Sequence, residues 1–193
     1  MVTCQTLLIH LADPERGLAE MKRVLRPGGR LICAEPNNLC QAGMKDSLTD
    51  RYSIDELVED YRIALTLERG KIAAGQGDSS LGDLVPGMFN KLGMVDIQAY
   101  LSDKCSVLMP PYDSREMQSI IGQLGADSPF QAEIDEQRRA YLAHILGDAA
   151  DQVALAVQSR EAESRRRLAE AVQDHSLHGA GGVVMYLVSG VKP

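Results

Sequence analysis

Arg23-Val24-Leu25-Arg26-Pro27-Gly28-Gly29-Arg30-Leu31 joins the end of a helix to the start of a strand. A cation near the helix end, a proline that cannot continue the helix and two glycines that tolerate positive φ make an abrupt stop. Leu31-Ile32-Cys33-Ala34 then reads as a short, continuously apolar strand, the pattern of a parallel strand buried on both faces. Upstream, Val2-Thr3-Cys4 reads as another short strand, and Asp13 caps a helix that opens at Pro14. Leu18, Met21, Val24 and Leu25 line one face of that helix. The order β, α, β from the first residues onward predicts an α/β fold.

These residues resemble the class I S-adenosylmethionine-dependent methyltransferases. The second half of that family's Rossmann-like sheet reads as a strand, an apolar turn with histidine, Asp-Pro, a helix, R-V-L-x-P-G-G-x-L and an acidic residue after the next strand. Cys4-Gln5-Thr6-Leu7-Leu8-Ile9-His10, Asp13-Pro14, Arg23 to Leu31 and Glu35-Pro36 match it here. Leu84 to Ile97 is similar to the segment that leads into the family's sixth strand, and Val183 to Val188 to its antiparallel seventh. The resemblance implies a partial Rossmann-like methyltransferase sheet, with strands corresponding to the fourth, fifth, sixth and antiparallel seventh, carrying an inserted helical section.

It also implies S-adenosylmethionine as cofactor and a small-molecule methyl acceptor. Cys4, Gln5, Thr6 and Leu7 would lie against the cofactor's methionine portion, with His10 in the following turn as a candidate general base. Imidazole titrates near neutrality, which suits that role, and a histidine that merely bonds backbone before a helix is the alternative. Glu35, Asn37 and Asn38 leave the second strand where open α/β sheets bind ligands, and are candidate substrate contacts. Asn and Pro are equally ordinary loop formers. Tyr52, Tyr61 and Tyr112 are read either as a substrate lid or as packing.

The family's glycine-rich loop and its ribose-binding acidic residue belong to strands that would precede residue 2. The expectation is therefore a C-terminal part, one incomplete domain over residues 1–193 with a helical insertion at 110–181. It would be inactive alone, or a non-catalytic remnant that serves as a structural or dimerising module. The edge of strand 2–6 would lack its parallel neighbour and should pair with a second copy or with a missing N-terminal half. Gly75-Gln76-Gly77 and Gly82 have two readings, a displaced cofactor loop or a flexible connection between helices.

A chain of 193 residues, 45% hydrophobic and 24% charged, is long enough for a substantial core. Its net charge of -7 argues against a nucleic-acid surface, which would carry a basic patch. No apolar run reaches the length of a membrane span and no secretory leader is visible, which points to the cytoplasm. The four cysteines lack C-x-x-C spacing, so reduced thiols are expected and no metal site is proposed from them or the four histidines.

Further along, Ser53 to Glu56 fits a capping box that opens a helix to about Arg69, where a glycine-rich stretch begins. A helix over Leu81 to Leu92 should bend or restart at Pro86 and stop at Gly93. Val95 to Leu101 alternates as a strand, and Lys104 to Met109 should extend it or pair with it. Asp113 to Glu116 offers a second capping box, Ser128-Pro129 a third helix start, and helices fill the stretch to about Asp174 with a break at Gly147-Asp148. The run Glu161 to Arg167 places Glu161 opposite Arg165 and Glu163 opposite Arg167, a solvated face.

Overall fold

The computed structural model describes residues 1–102, 105–125 and 129–193. They fall into two compact units, Met1–Ala42, Lys71–Lys104 and Val183–Pro193 forming the first, Gly43–Gly70 and Cys105–Gly182 the second. The strands are β1 (Val2–Gln5), β2 (Arg30–Pro36), β3 (Val95–Leu101), β4 (Ser106–Leu108), β5 (Gly179–Gly181) and β6 (Met185–Val191). The α-helices are α1 (Pro14–Val24), α2 (Asn38–Gln41), α3 (Ile54–Ala73), α4 (Val85–Lys91), α5 (Arg115–Gly125), α6 (Gln131–Leu146) and α7 (Ala150–Gln173). Among the described residues no helix is long and apolar enough to cross a membrane.

The first unit is a four-stranded sheet in the order β1-β2-β6-β3. β1 runs parallel to β2 with Cys4 opposite Cys33, and β6 lies antiparallel between β2 and β3. Its core joins Leu8 and Ile9 after β1, Leu18 and Leu25 from α1 and its cap, Leu31 and Cys33 from β2, Val85 and Phe89 from α4, and Val188 from β6. The expected cap of α1 is present, since the Asp13 carboxylate accepts the Arg16 amide at 2.9 Å and Pro14 opens the helix. Val24 departs from expectation: it is 55% exposed, and the core-facing stripe ends on Leu25, where the helix has already stopped.

The Pro27-Gly28-Gly29 turn is held from the other end of the chain. Gly28 has φ of +74°, and its amide donates to the Lys192 carbonyl at 2.8 Å while the Lys192 amide donates back to Gly29 at 2.9 Å. The Lys192 ammonium then caps α1, donating to the carbonyls of Lys22 at 3.0 Å, Arg23 at 3.3 Å and Leu25 at 2.7 Å. A cation at a helix C-terminus satisfies orphan carbonyls and complements the dipole. Lys192→Met keeps the stem and removes the charge, so urea denaturation should show a loss of about 1–2 kcal/mol. An unchanged midpoint would mean that water caps this helix equally well.

Pro86 marks the restart that the sequence allowed, a 3-10 turn at Gly82–Leu84 giving way to α4 at Val85. Gly93, at φ of +66°, closes that helix. The strand β6 starts at Met185, two residues later than read from the sequence. The expected extension of β3 by Lys104 to Met109 is not what forms: Lys104 lies outside the described residues, and Ser106–Leu108 pairs antiparallel with Gly179–Gly181 instead.

The second unit is mainly helical. Its chain extends beyond the expected insertion, taking in residues 43–70 as well as 105–182. The Ser53 box forms as read, with Ser53 Oγ accepting the Glu56 amide at 3.2 Å and Glu56 Oε2 accepting the Ser53 amide at 2.8 Å. At the next helix the cap shifts by one residue: Ser114 Oγ, rather than Asp113, accepts from the Met117 amide at 3.1 Å. Ser128 lies outside the described residues. α3 runs on to Ala73 through Gly70, which the sequence had placed in a loop. The break between α6 and α7 falls at a 3-10 turn, Gly147–Ala149, with Gly147 at φ of +56°.

Glu163 pairs with Arg167 at 2.8 Å as its spacing implied, and with Arg166 at 2.7 Å. The Arg166 guanidinium, then that of Arg167, holds the Glu163 carboxyl down to about 2. Glu161 is engaged by Arg138 of α6 at 2.8 Å, a partner that helical spacing within α7 could not reveal.

Candidate cofactor and substrate site

The C-terminal ends of β1 and β2 form the candidate site in the first unit. After Gln5 the chain leaves the sheet abruptly: Thr6 sits at φ of +47°, and its amide still donates to Ala34 at 2.9 Å. A threonine held in the left-handed region is uncommon and costs energy that its surroundings must offset. The following amides, Leu7 N and Leu8 N, donate at 3.0 and 3.1 Å to one oxygen, Glu35 Oε1. The Cys4 thiol donates to the same oxygen at 3.7 Å.

Glu35 is therefore fully buried and works as a latch across the two strands. Its second oxygen, Oε2, is buried without a hydrogen-bond partner. The thiol of Cys33, across from Cys4 and two residues before Glu35, is pushed far above the usual thiol range by its bond with Cys4 and by burial. That makes Cys33 an inert core group rather than a nucleophile.

Of the residues proposed for the cofactor, Gln5, Thr6 and Leu7 are exposed at the strand end and Cys4 is half-buried beneath them. His10 is exposed at the last position of the 3-10 turn Leu8–His10, its amide donating to Leu7 at 3.1 Å. Of the substrate candidates only Asn38 is exposed. Asn37 is 7% exposed and caps α2, its Oδ1 accepting from Cys40 at 3.1 Å. The structure thus gathers the β1 residues, Glu35 and Asn37 at one end of the sheet, but uses Glu35 and Asn37 to hold the backbone.

Of the three tyrosines, Tyr112 is buried, donates its hydroxyl to the Leu177 carbonyl at 2.8 Å and stacks on His175. Tyr52 lies under the Arg167 guanidinium, 5.4 Å from the ring centre, and Tyr61 is exposed. Packing describes Tyr112 better than a lid does.

The glycine stretch after α3 belongs to this same end of the first unit. A Cβ on Gly77 would come within 2.3 Å of the Ile9 carbonyl oxygen, and one on Gly82 within 2.4 Å of the Glu35 carbonyl oxygen. Lys71 donates to the Ile9 carbonyl at 3.2 Å and to Ser79 Oγ, and Ser80 Oγ accepts from the Leu39 amide at 3.0 Å. The stretch is neither a free linker nor a loop following a strand. It is a packed support for the β1 and β2 exits.

Residues 1–33, which comprise β1, the turn, α1 and the start of β2, match the family model described as a methyltransferase domain. An uncharacterized 37.1 kDa protein in transposon TN4556 of Streptomyces fradiae is 47% identical over 55 residues, 28% of this chain and 14% of that protein. Among solved structures, Haemonchus contortus phosphoethanolamine N-methyltransferase 2, in complex with phosphomonomethylethanolamine and S-adenosylhomocysteine, aligns with a TM-score of 0.34 at 13% identity. That alignment covers 100% of this chain and 33% of the nematode enzyme. A candidate methyltransferase from Bacillus halodurans C-125 aligns with a TM-score of 0.37 at 11% identity, covering 100% and 68% of the two chains. The chain thus spans about a third of the nematode enzyme, and its opening residues carry the match to the methyltransferase-domain model.

Proposed function

We propose that this chain is the strand-four-to-seven part of a cytoplasmic S-adenosylmethionine-dependent methyltransferase acting on a small molecule, and that its cofactor site is completed along the free edge of β1. The observation that carries the reading is a coincidence of position. The methyltransferase match ends within β2, and three of the four residues that the resemblance assigns to the cofactor, Gln5, Thr6 and Leu7, are exposed at the β1 exit.

The residues present fit one wall of such a site. Gln5, Thr6 and Leu7 would hold the methionine portion of the cofactor through their exposed side chains, because the nearby amides of Thr6, Leu7 and Leu8 are already bonded within the chain. When bound, S-adenosylmethionine supplies a methyl group on a cationic sulfur, a good leaving group. The protein's task is then mainly alignment and water exclusion. His10, exposed at the end of its turn, would take the proton from an acceptor that must lose one, and Asn38 would contact that acceptor.

Among the described residues β1 pairs with β2 only, leaving its outer edge open. A parallel strand from a second copy or from an N-terminal half would fill it, because unpaired strand edges template pairing. Titration of the 193-residue chain with S-adenosylhomocysteine, followed by amide NMR, tests the proposal. We expect shifts confined to Cys4–His10 and its neighbours, with a dissociation constant weakened to about 1 mM by the missing wall. No shifts in that segment at saturating ligand would overturn the reading and leave a structural or dimerising role.

A further inference from the structure

The second unit holds a cavity of about 330 Å³, bounded by the β4–β5 ribbon, α5, α7 and the segment 44–46. Its walls are largely apolar, with Met44, Leu108, Ile120, Leu168 and Leu177 prominent. Volume and lining of this kind are those of small-molecule sites, in which a few polar groups set orientation.

One wall is fixed by a dense set of bonds. Ser47 Oγ donates to the Ser176 carbonyl at 2.8 Å and accepts the His178 amide at 2.9 Å, while the Ser47 amide donates to the His178 carbonyl at 2.9 Å. Tyr112 secures the carbonyl of Leu177, and Asp46 bridges to Gly179. The wall is therefore formed before any ligand arrives, which lowers the ordering cost of binding.

The charges at the rim are already engaged. Lys45 pairs with Asp50 at 3.1 Å, and Asp46 Oδ1 accepts from the Leu48 and Thr49 amides at 2.9 and 2.7 Å. Ser106 Oγ donates to Glu116 at 3.1 Å. His178, which lines the cavity, differs. Its Nδ1 lies 3.1 Å from the Ser176 carbonyl oxygen, which can only accept, so Nδ1 carries the proton. In the neutral ring Nε2 is then a lone-pair acceptor, and it makes no hydrogen bond among the described residues.

We infer that this cavity binds an uncharged, mainly apolar small molecule that carries a hydroxyl group, with the hydroxyl donating to His178 Nε2. The site lies within the helical unit and does not depend on the methyl-transfer reading.

The test uses three probes of one size: 1-naphthol, naphthalene and 1-naphthoate. The chain has no Trp, so naphthyl fluorescence is read against little protein background. For the full chain, 1-naphthol should bind about tenfold more tightly than naphthalene, and 1-naphthoate more weakly than either. His178→Ala should weaken 1-naphthol about tenfold and leave naphthalene unchanged. Gly181→Leu should weaken both, because nothing lies within 4 Å of a Cβ at Gly181 and the larger side chain has room to fill the space. Equal binding of 1-naphthol by the parent chain and His178→Ala, tightest binding by 1-naphthoate, or indifference of both neutral probes to Gly181→Leu would each overturn the assignment.

Discussion

Gly70→Ala is expected to destabilise the helical unit by about 3–5 kcal/mol, although helix propensity alone favours alanine over glycine by about 1 kcal/mol. Gly70 lies inside α3, and a Cβ there would stand 2.1 Å from the carbonyl oxygen of Tyr141 and 2.5 Å from its carbonyl carbon. Those atoms belong to the backbone of α6, so no rotamer change relieves the clash. The two helices must separate instead, opening the packing around the buried Tyr141 and Leu142. Gly122→Ala in α5 is the matched control, because nothing lies within 4 Å of a Cβ at that position. It should stabilise by about 0.5–1 kcal/mol. Urea denaturation followed by helical circular dichroism reads both, and a stabilised Gly70→Ala would show that α3 and α6 do not make this contact in solution.

The same glycine shows where local reading of the sequence stops. A glycine near the end of a periodic segment ordinarily signals a helix end, and Gly70 beside Lys71 and Gly75 had that look. Its actual cause is a helix crossing some seventy residues away in the chain, which no local pattern carries. The legible features were those whose physics is local: Asp13-Pro14 as a cap, Ser53 and Glu56 as a reciprocal pair, Pro86 as a restart, and Pro27-Gly28-Gly29 as a stop before an apolar strand.

Lys192 on the end of α1 and the pairing of β4 with β5 were illegible for the opposite reason. Each joins segments far apart, and neither Gly179-Ala180-Gly181 nor one lysine before the final proline has a strand or cap signature of its own. At the candidate site the positions were legible but the orientations were not. Alternation along β2 cannot tell an acidic residue that leaves the sheet from one turned inward, and Glu35 is turned inward. The sulfur-bearing neighbours Cys4 and Cys33 share its face, a consequence of parallel register that emerges only once β1 and β2 are paired.

Glu35→Ala should cost the first unit about 2–4 kcal/mol, whereas Glu35→Gln should cost less than about 1 kcal/mol. In Glu35→Ala the amides of Leu7 and Leu8 lose Oε1, the acceptor they share among the described residues, and Leu8 is fully buried. A stranded buried donor costs about 1–3 kcal/mol, and the missing side chain leaves a void at the β1 exit. Removing a buried carboxylate returns part of this, because Oε2 is desolvated without a partner. The stranded Leu8 amide, the lost Leu7 bond and the void outweigh that return. Glutamine keeps an oxygen for Leu7 and Leu8 and removes the charge, while its amide nitrogen occupies a position that is already unpartnered. Urea denaturation separates the two variants, and hydrogen exchange at Leu7 and Leu8 identifies the cause: at least tenfold faster in Glu35→Ala and near the parent rate in Glu35→Gln. Equal losses in the two variants would mean that the negative charge, rather than the acceptor oxygen, holds the turn. Because that turn positions Thr6, Leu7 and His10, the same exchange measurement reports whether the proposed cofactor wall is formed before any ligand binds.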